Sequence, residues 1–256
     1  MSRLRPPLIL AVFAAFTLPL MPLQQLFVWF WPAMARRFPM YYHRAVLRIL
    51  GVRLKVLGEP VAQGPALIAA NHAGWLDIVI LSAVAPVSFI AKREVNGWPF
   101  FGSLARLQRT VFIDRDRRHA TGGGRDDIQE RLKAGDILVL FAEGTSSDGA
   151  RVLPFRSAFF GAAELPEVRV QPLTIAYDGQ RNMPMTGRLR PLYAWYGDMD
   201  LPPHLWEALA TGPMEVTVIC HPPLAPNGDR KGLAARAEAL VRKGLVGALH
   251  GGREMS

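Results

Sequence analysis

Two five-residue runs of this chain, Ala66-Leu67-Ile68-Ala69-Ala70 and Ile137-Leu138-Val139-Leu140-Phe141, hold no polar side chain and lead straight into polar blocks. A strand with one wet face alternates apolar and polar residues, whereas a short uninterrupted apolar run reads as a buried strand. Val52 to Leu57 does alternate, apolar with basic, as an exposed strand would. Further short strands are predicted at Ser88 to Ala91, Thr110 to Ile113, Arg169 to Tyr177 and Glu215 to Cys220. Pro172 inside the third of these points to an edge or a bulge. Helices are predicted at Tyr41 to Leu50, with Arg44 and Arg48 one turn apart, and at Asp77 to Val84, ended near Pro86. Others are Asp126 to Lys133, stopped by Gly135, then Ser157 to Leu165 and Lys231 to Leu249. Strands alternating with helices imply an α/β fold, a central and mostly parallel sheet flanked by helices. Gly122-Gly123-Gly124 lacks the preceding strand and the spacing of a dinucleotide site, and reads as a flexible loop.

The N-terminus is of another character. Leu8 to Trp31 holds no charged residue, and its length could span a bilayer. Pro19 and Pro22 interrupt it, Gln24-Gln25 follow, and arginines flank it as Arg3/Arg5 and Arg36/Arg37. Basic residues on both sides favour both ends on the cytoplasmic face, which a helical hairpin in one leaflet satisfies better than a single span. A cleaved signal peptide lacks its small-residue cleavage site. The net charge of +9 is concentrated here: residues 1–60 hold eight Arg/Lys and one acid, Glu59. Such a region suits an anionic membrane surface. Nucleic acid, the other common partner of a basic chain, finds no recognition motif. The expected organisation is a membrane-associated helical segment at 1–39 and one domain at 40–256, long enough to bury a full core. The single cysteine, Cys220, excludes an internal disulfide and offers no zinc spacing; it reads as a small buried hydrophobe.

The chemistry gathers at strand ends, where α/β sheets collect ligands. Asn71-His72-Ala73-Gly74-Trp75-Leu76-Asp77 follows the first apolar run. Neutral imidazole suits proton removal from an alcohol near pH 7, and a carboxylate can fix its tautomer. Taken alone, the pair is equally read as a histidine capping the helix that Asp77 joins. Val111-Phe112-Ile113-Asp114-Arg115 ends the predicted strand Thr110 to Ile113, and Phe141-Ala142-Glu143-Gly144-Thr145-Ser146-Ser147 ends the second apolar run. Arg115 could fork onto an anionic headgroup, or be a surface arginine in a mixed-charge loop. Glu143, Gly144 and Thr145 offer a carboxylate, a pliable backbone and a hydroxyl, or simply a glycine turn. Trp98-Pro99-Phe100 and Leu153-Pro154-Phe155 could line an acyl channel, with core packing the preferred account of each.

In this order and spacing, with Val170 to Ile175 as a fourth block, these segments resemble the glycerolipid acyltransferase family, whose best-known members are the 1-acylglycerol-3-phosphate acyltransferases. The resemblance spans about residues 40 to 225. Departures are Ala142 where a Pro is usual, Ser146 where an Arg is usual and Gly74 where a Ser is common. The resemblance implies acyl transfer from acyl-CoA or acyl carrier protein to the hydroxyl of a lysolipid. His72 would be the base, Asp77 its orienting partner, and Arg115, Glu143, Gly144 and Thr145 the acceptor site, with no metal or cofactor. The expected acceptor is 1-acylglycerol-3-phosphate, the family's usual one, with lyso-ornithine lipid or another lysolipid as the alternative. Ser146 removes a cation and fits a less anionic head, such as lyso-ornithine lipid, at least as well. No G-x-S-x-G elbow supports a hydrolase of the α/β type. A non-catalytic lipid binder would not need His72 and Asp77 together, and a thioester hydrolase using the same base would be separated by product analysis.

Overall fold

The computed structural model describes residues 4–113, 121–165 and 167–250, with the backbone alone at 121–125. Arg115 lies outside them. The chain opens with helices α1 (Arg5–Phe30) and α2 (Pro32–Leu50), then strands β1 (Val52–Leu57) and β2 (Ala66–Ala70). Helix α3 (Leu76–Val84), strand β3 (Val87–Lys92), helix α4 (Phe101–Leu107) and strand β4 (Val111–Ile113) follow. Next come α5 (Thr121–Lys133), β5 (Ile137–Phe141), a 3₁₀ segment (Ser157–Ala163), β6 (Arg169–Gln180) and β7 (Met183–Pro184). Helix α6 (Leu201–Thr211), strand β8 (Met214–Cys220) and helix α7 (Arg230–Leu249) complete it. The strands form one sheet in the order β1-β8-β6-β2-β5-β3-β4, with β7 on β6. Pairing is parallel from β6 through β2, β5 and β3 to β4, while β8 runs antiparallel to β6.

The two apolar runs occupy the middle of this sheet, β2 paired with β5 from Ala66↔Ile137 to Ala70↔Phe141. Every residue of both is buried. One core lies on each face. Ile68, Val139 and Ile175 face one packed by Leu76 and Ile80 of α3. Leu67, Leu138 and Leu140 face the other, covered by Leu132 of α5 and by Leu233, Val241 and Leu245 of α7.

Three sequence expectations need correction. Pro172 is neither at an edge nor in a bulge: β6 is central, between β2 and β8, and its register shift falls at Tyr177/Gly179. Pro172 O faces the β8 side and accepts from His221 N (3.1 Å), just past the last β8 residue, so the missing N–H costs no ladder bond. Gly122 to Gly124 belong to α5 rather than a loop; Ile128 and Leu132 of the same helix are buried, and their packing outweighs glycine's poor propensity. Residues 8–31 do not fold back on themselves. Pro19 and Pro22 sit inside one continuous helix, and the chain reverses only at Trp31 (φ −141°, ψ 72°). Helix α2 then returns along α1, with Phe16 stacked on Tyr42 (5.6 Å), Thr17 and Tyr42 hydroxyls bonded (2.8 Å), and Gln24 Nε2 donating to Ala35 O (3.0 Å). Helix α2 begins at Pro32, well before Tyr41.

This hairpin is tied to the domain by charge. Asp136, at the entry to β5, accepts from Arg36 of α2 (2.8 Å), from Arg109 (2.8 Å) and from Arg131 of α5. Its side chain is 2% exposed. Burial works against its ionisation, but Arg131 and Arg109 outweigh that and hold its pKa below the ordinary carboxylate value. Asp136→Ala leaves three guanidiniums without their shared acceptor. Because the arginines are partly solvated, the expected loss is about 2–3 kcal/mol, below that of a fully buried pair. Thermal melts in mild detergent check this, and a change under about 0.5 kcal/mol contradicts it.

Candidate active site

The register explains why the polar blocks converge. Ala70 pairs with Phe141, so His72 and Glu143 leave adjacent strands at the same level. Strand β4, which leads towards Arg115, sits at the sheet edge beyond β3. The structure therefore joins two of the three sequence blocks side by side, while the third ends outside the described residues.

His72 and Asp77 meet as the sequence suggested. Nδ1 of His72 lies 2.8 Å from Asp77 Oδ2. The same oxygen accepts from Ala73 N (2.6 Å) and Gly74 N (2.9 Å). Oδ1 accepts from Tyr177 OH (2.6 Å). Asp77 is fully buried in the first turn of α3, and His72 does not cap that helix: the N-cap position is Trp75, with no side-chain cap. A carboxylate only accepts, so the proton of the His72–Asp77 bond belongs to Nδ1, leaving Nε2 with a lone pair. The imidazole is stacked on Phe141 (3.8 Å, 16°) and its side chain is 21% exposed. One edge of the ring is thus fixed, and the side chain keeps partial access to solvent.

The loop bearing this pair is held from three sides. Asn71, buried, exchanges two bonds with Ile175 of β6, receiving from its N–H (2.8 Å) and donating to its C=O (2.9 Å). His72 O accepts from Ser147 N (2.8 Å), tying the loop to the Glu143 block. Ala73 O accepts from Trp195 N (2.7 Å). A Cβ on Gly74 would come 2.8 Å from Trp195 N, so this close approach requires the glycine that replaces the more usual serine.

Glu143 is buried beside His72. Its Oε1 accepts from Leu153 N (3.1 Å), while Oε2 finds no hydrogen-bond partner among the described residues. Burial, with a smaller contribution from the neighbouring Asp77 charge, pushes its pKa up to about 8. Gly144 takes a left-handed conformation (φ +75°), and Thr145 is exposed next to it. Phe155 belongs to the core, as expected. Trp98 and Phe100 do not: they line an apolar cavity of about 440 Å³ between the α1–α2 hairpin and the domain. Trp75, Ile78 and Val79 form its wall nearest the His72 loop, and Ile9 to Gln24 of α1 form another. Among the described residues no group of three or more His, Cys, Asp or Glu gathers to hold a metal.

Sequence reasoning missed Tyr177, Phe141, Asn71 and Ser147 as parts of this site. Phe141 and Tyr177 were legible only as strand residues. Asn71 and Ser147 stood within the motif blocks, but their roles depend on partners far along the chain.

Comparisons with known proteins agree with this geometry. A family model described as Acyltransferase matches residues 53–176. A lyso-ornithine lipid O-acyltransferase of Brucella abortus is 46% identical over 95% of this chain and 95% of its own. A 1-acyl-sn-glycerol-3-phosphate acyltransferase of Neisseria meningitidis is 35% identical, over 78% of this chain and 77% of its own. The crystal structure of the 1-acyl-sn-glycerophosphate acyltransferase PlsC from Thermotoga maritima shares the fold, with TM-score 0.60 and 22% identity over 82% of this chain and 77% of that one. An N-terminal helix long and apolar enough to cross a membrane fits the lipid chemistry that the relatives' names describe. The chain belongs to the acyltransferase family and is an acyltransferase.

Proposed function

We propose that this enzyme transfers a fatty acyl group from a thioester, acyl-CoA or acyl carrier protein, to the free hydroxyl of lyso-ornithine lipid. The observation that carries the reaction is the His72–Asp77 pair, with Nδ1 fixed and Nε2 left with a lone pair. The acceptor follows from the relatives: lyso-ornithine lipid O-acyltransferases of Brucella abortus and Rhizobium meliloti are each 46% identical. Ser146, uncharged after Thr145, agrees with a less anionic head. The second reading is 1-acylglycerol-3-phosphate, supported by the Neisseria relative.

Nε2 of His72 takes the proton of the acceptor hydroxyl as its oxygen attacks the thioester carbonyl. Asp77 stabilises the imidazolium, held in turn by Tyr177 and two backbone N–H groups. Collapse of the tetrahedral intermediate expels the thiolate, which recovers the proton from His72. No serine nucleophile, metal or cofactor enters this sequence. Arg115 and Thr145 contact the acceptor head, Gly144 lets backbone N–H groups approach it, and Glu143 supports this side of the cleft. The apolar cavity takes the acyl chain, since one wall adjoins the His72 loop and the others are hydrocarbon.

Residues 1–39 hold the enzyme on the membrane and 40–256 carry the chemistry. Helix α1 is tied to the domain near both ends: Arg5 bonds to Leu50 O (3.0 Å) and to Leu209 O, and Gln24 to Leu107 O (2.9 Å). A bilayer between those ends would separate contacts made to one domain. The helix therefore lies along the membrane, its exposed Leu8, Leu18, Trp29 and Phe30 turned towards lipid. The basic flanks favour the anionic, cytoplasmic leaflet.

The purified enzyme, given labelled acyl donors and a panel of lysolipids, is expected to acylate lyso-ornithine lipid in preference to 1-acylglycerol-3-phosphate. Release of free fatty acid alone, with no acylated lipid, overturns the reading. In the same assay His72→Ala lowers kcat by at least about a hundredfold in a folded protein, and Asp77→Asn is also severe. Near-normal turnover in either variant contradicts the mechanism.

Glu143 has a pH signature. Its folded pKa, about 8, lies above the 4.5 of an unperturbed carboxyl, so the folded state favours the protonated form. Its cost to stability is absent below about pH 4.5, grows as pH rises between the two values and is complete above about 8. Glu143→Gln removes that cost, so its melting temperature gains on wild type as pH goes from 5 to 9. A pH-independent difference between the two melting curves contradicts the assignment.

A further inference from the structure

The block after β5 is built around the bare backbone of Gly144. A Cβ placed there would meet Arg156, 2.8 Å from Nε and 3.2 Å from Cζ. The guanidinium therefore lies against Gly144, three residues beyond Phe141, the strand end that stacks on His72. Its own backbone is anchored, Arg156 N donating to Ala142 O (2.8 Å), yet the residue is exposed. Five arginines of the fold meet carboxylates: Arg36, Arg109 and Arg131 at Asp136, Arg242 at Glu238 (2.7 Å), and Arg53 at Glu215 (3.4 Å). No carboxylate pairs with Arg156 among the described residues. Glu143, its neighbour in space through Gly144, is engaged with Leu153 N and is held protonated near neutral pH by burial. From Gly144 to Ser147 the block carries no charge of its own.

We propose that Arg156 is a specificity residue: its guanidinium binds the acidic group of the acceptor lipid, a carboxylate or a phosphate, while the acceptor hydroxyl meets His72. A planar fork fixed at its base, and meeting no carboxylate among the described residues at its head, suits a two-oxygen anion. The adjacency of β2 and β5, about 4.8 Å apart, brings the two recognition points within the span of one headgroup. Gly144 serves both ends of this arrangement, because a side chain there would displace the guanidinium. The proposal rests on the lysolipid acyltransferase reading.

The test is a two-substrate steady-state comparison of the full-length enzyme with Arg156→Ala, Arg156→Lys and the double variant Arg156→Ala/Ser146→Arg. Acceptors are lyso-ornithine lipid for the carboxylate, 1-acylglycerol-3-phosphate for the phosphate, and a neutral monoacylglycerol. Arg156→Ala is expected to raise KM for the preferred anionic acceptor about ten- to a hundredfold, with kcat, the donor KM and the neutral acceptor changed by less than about twofold. Arg156→Lys recovers part of the loss by restoring charge without the fork. The double variant recovers part by supplying a cation two residues after Gly144. An equal rise for all three acceptors, or a fall in kcat at unchanged KM, makes Arg156 structural and overturns the proposal. Failure of Arg156→Lys to fold leaves the double variant to decide. Wild-type enzyme that acylates no lysolipid overturns the functional reading itself, a different result from acylation that ignores Arg156.

Discussion

One fully buried carboxylate organises the catalytic end of this fold. Asp77 receives bonds from the His72 ring, the Ala73 and Gly74 backbone and the Tyr177 hydroxyl. A buried charge without such donors would cost several kcal/mol, so each donor is also a constraint on its neighbours. The loop between β2 and α3 must curl back to bring two N–H groups to Oδ2. Strand β6 must carry Tyr177 at the level of Oδ1, and Asn71 locks that register by bonding to Ile175 two residues away. The position of His72 is a consequence of satisfying Asp77.

The same economy runs through the surroundings. Phe141 ends the buried strand β5 and its ring becomes the platform under His72. Trp75 takes the N-cap position of α3 and also walls the hydrocarbon cavity. Helices α1 and α2 complete that cavity, so the N-terminal helix that is apolar enough to cross a membrane also shapes the hydrocarbon cavity. The Asp136 arginine cluster fixes α2 against β5, at the opposite end of the strands from the chemistry.

Much of this was legible in the sequence. The uninterrupted apolar runs identified β2 and β5 because buried parallel strands have no wet face, and the polar blocks just past them pointed to where His72, Asp77 and Glu143 come together. Tyr177 was not legible, because it lies a hundred residues from Asp77 and reads as one more aromatic in a strand. Arg156 was hidden for a similar reason: its meaning depends on an approach to Gly144 that only the folded chain makes. The errors share a physical origin. Pro19, Pro22, Pro172 and the three glycines were read by local propensity, and tertiary context overrode it each time. The α1–α2 packing supports a helix that lost two N–H donors, Pro172 lies opposite His221, just past the end of β8, where no ladder bond needs its N–H, and the buried face of α5 supports its glycine-rich start.

The central claim is that Asp77 holds the His72 imidazole in its Nδ1–H form, with Nε2 as the base. The direct measurement is ¹⁵N NMR of selectively labelled histidine above the pH at which the ring is neutral, with His72 assigned by substitution. The account predicts a protonated Nδ1 and an unprotonated Nε2 in the wild type, with that preference weakened in Asp77→Asn. A wild-type His72 carrying its proton on Nε2, or a tautomer mixture unchanged by Asp77→Asn, would contradict it.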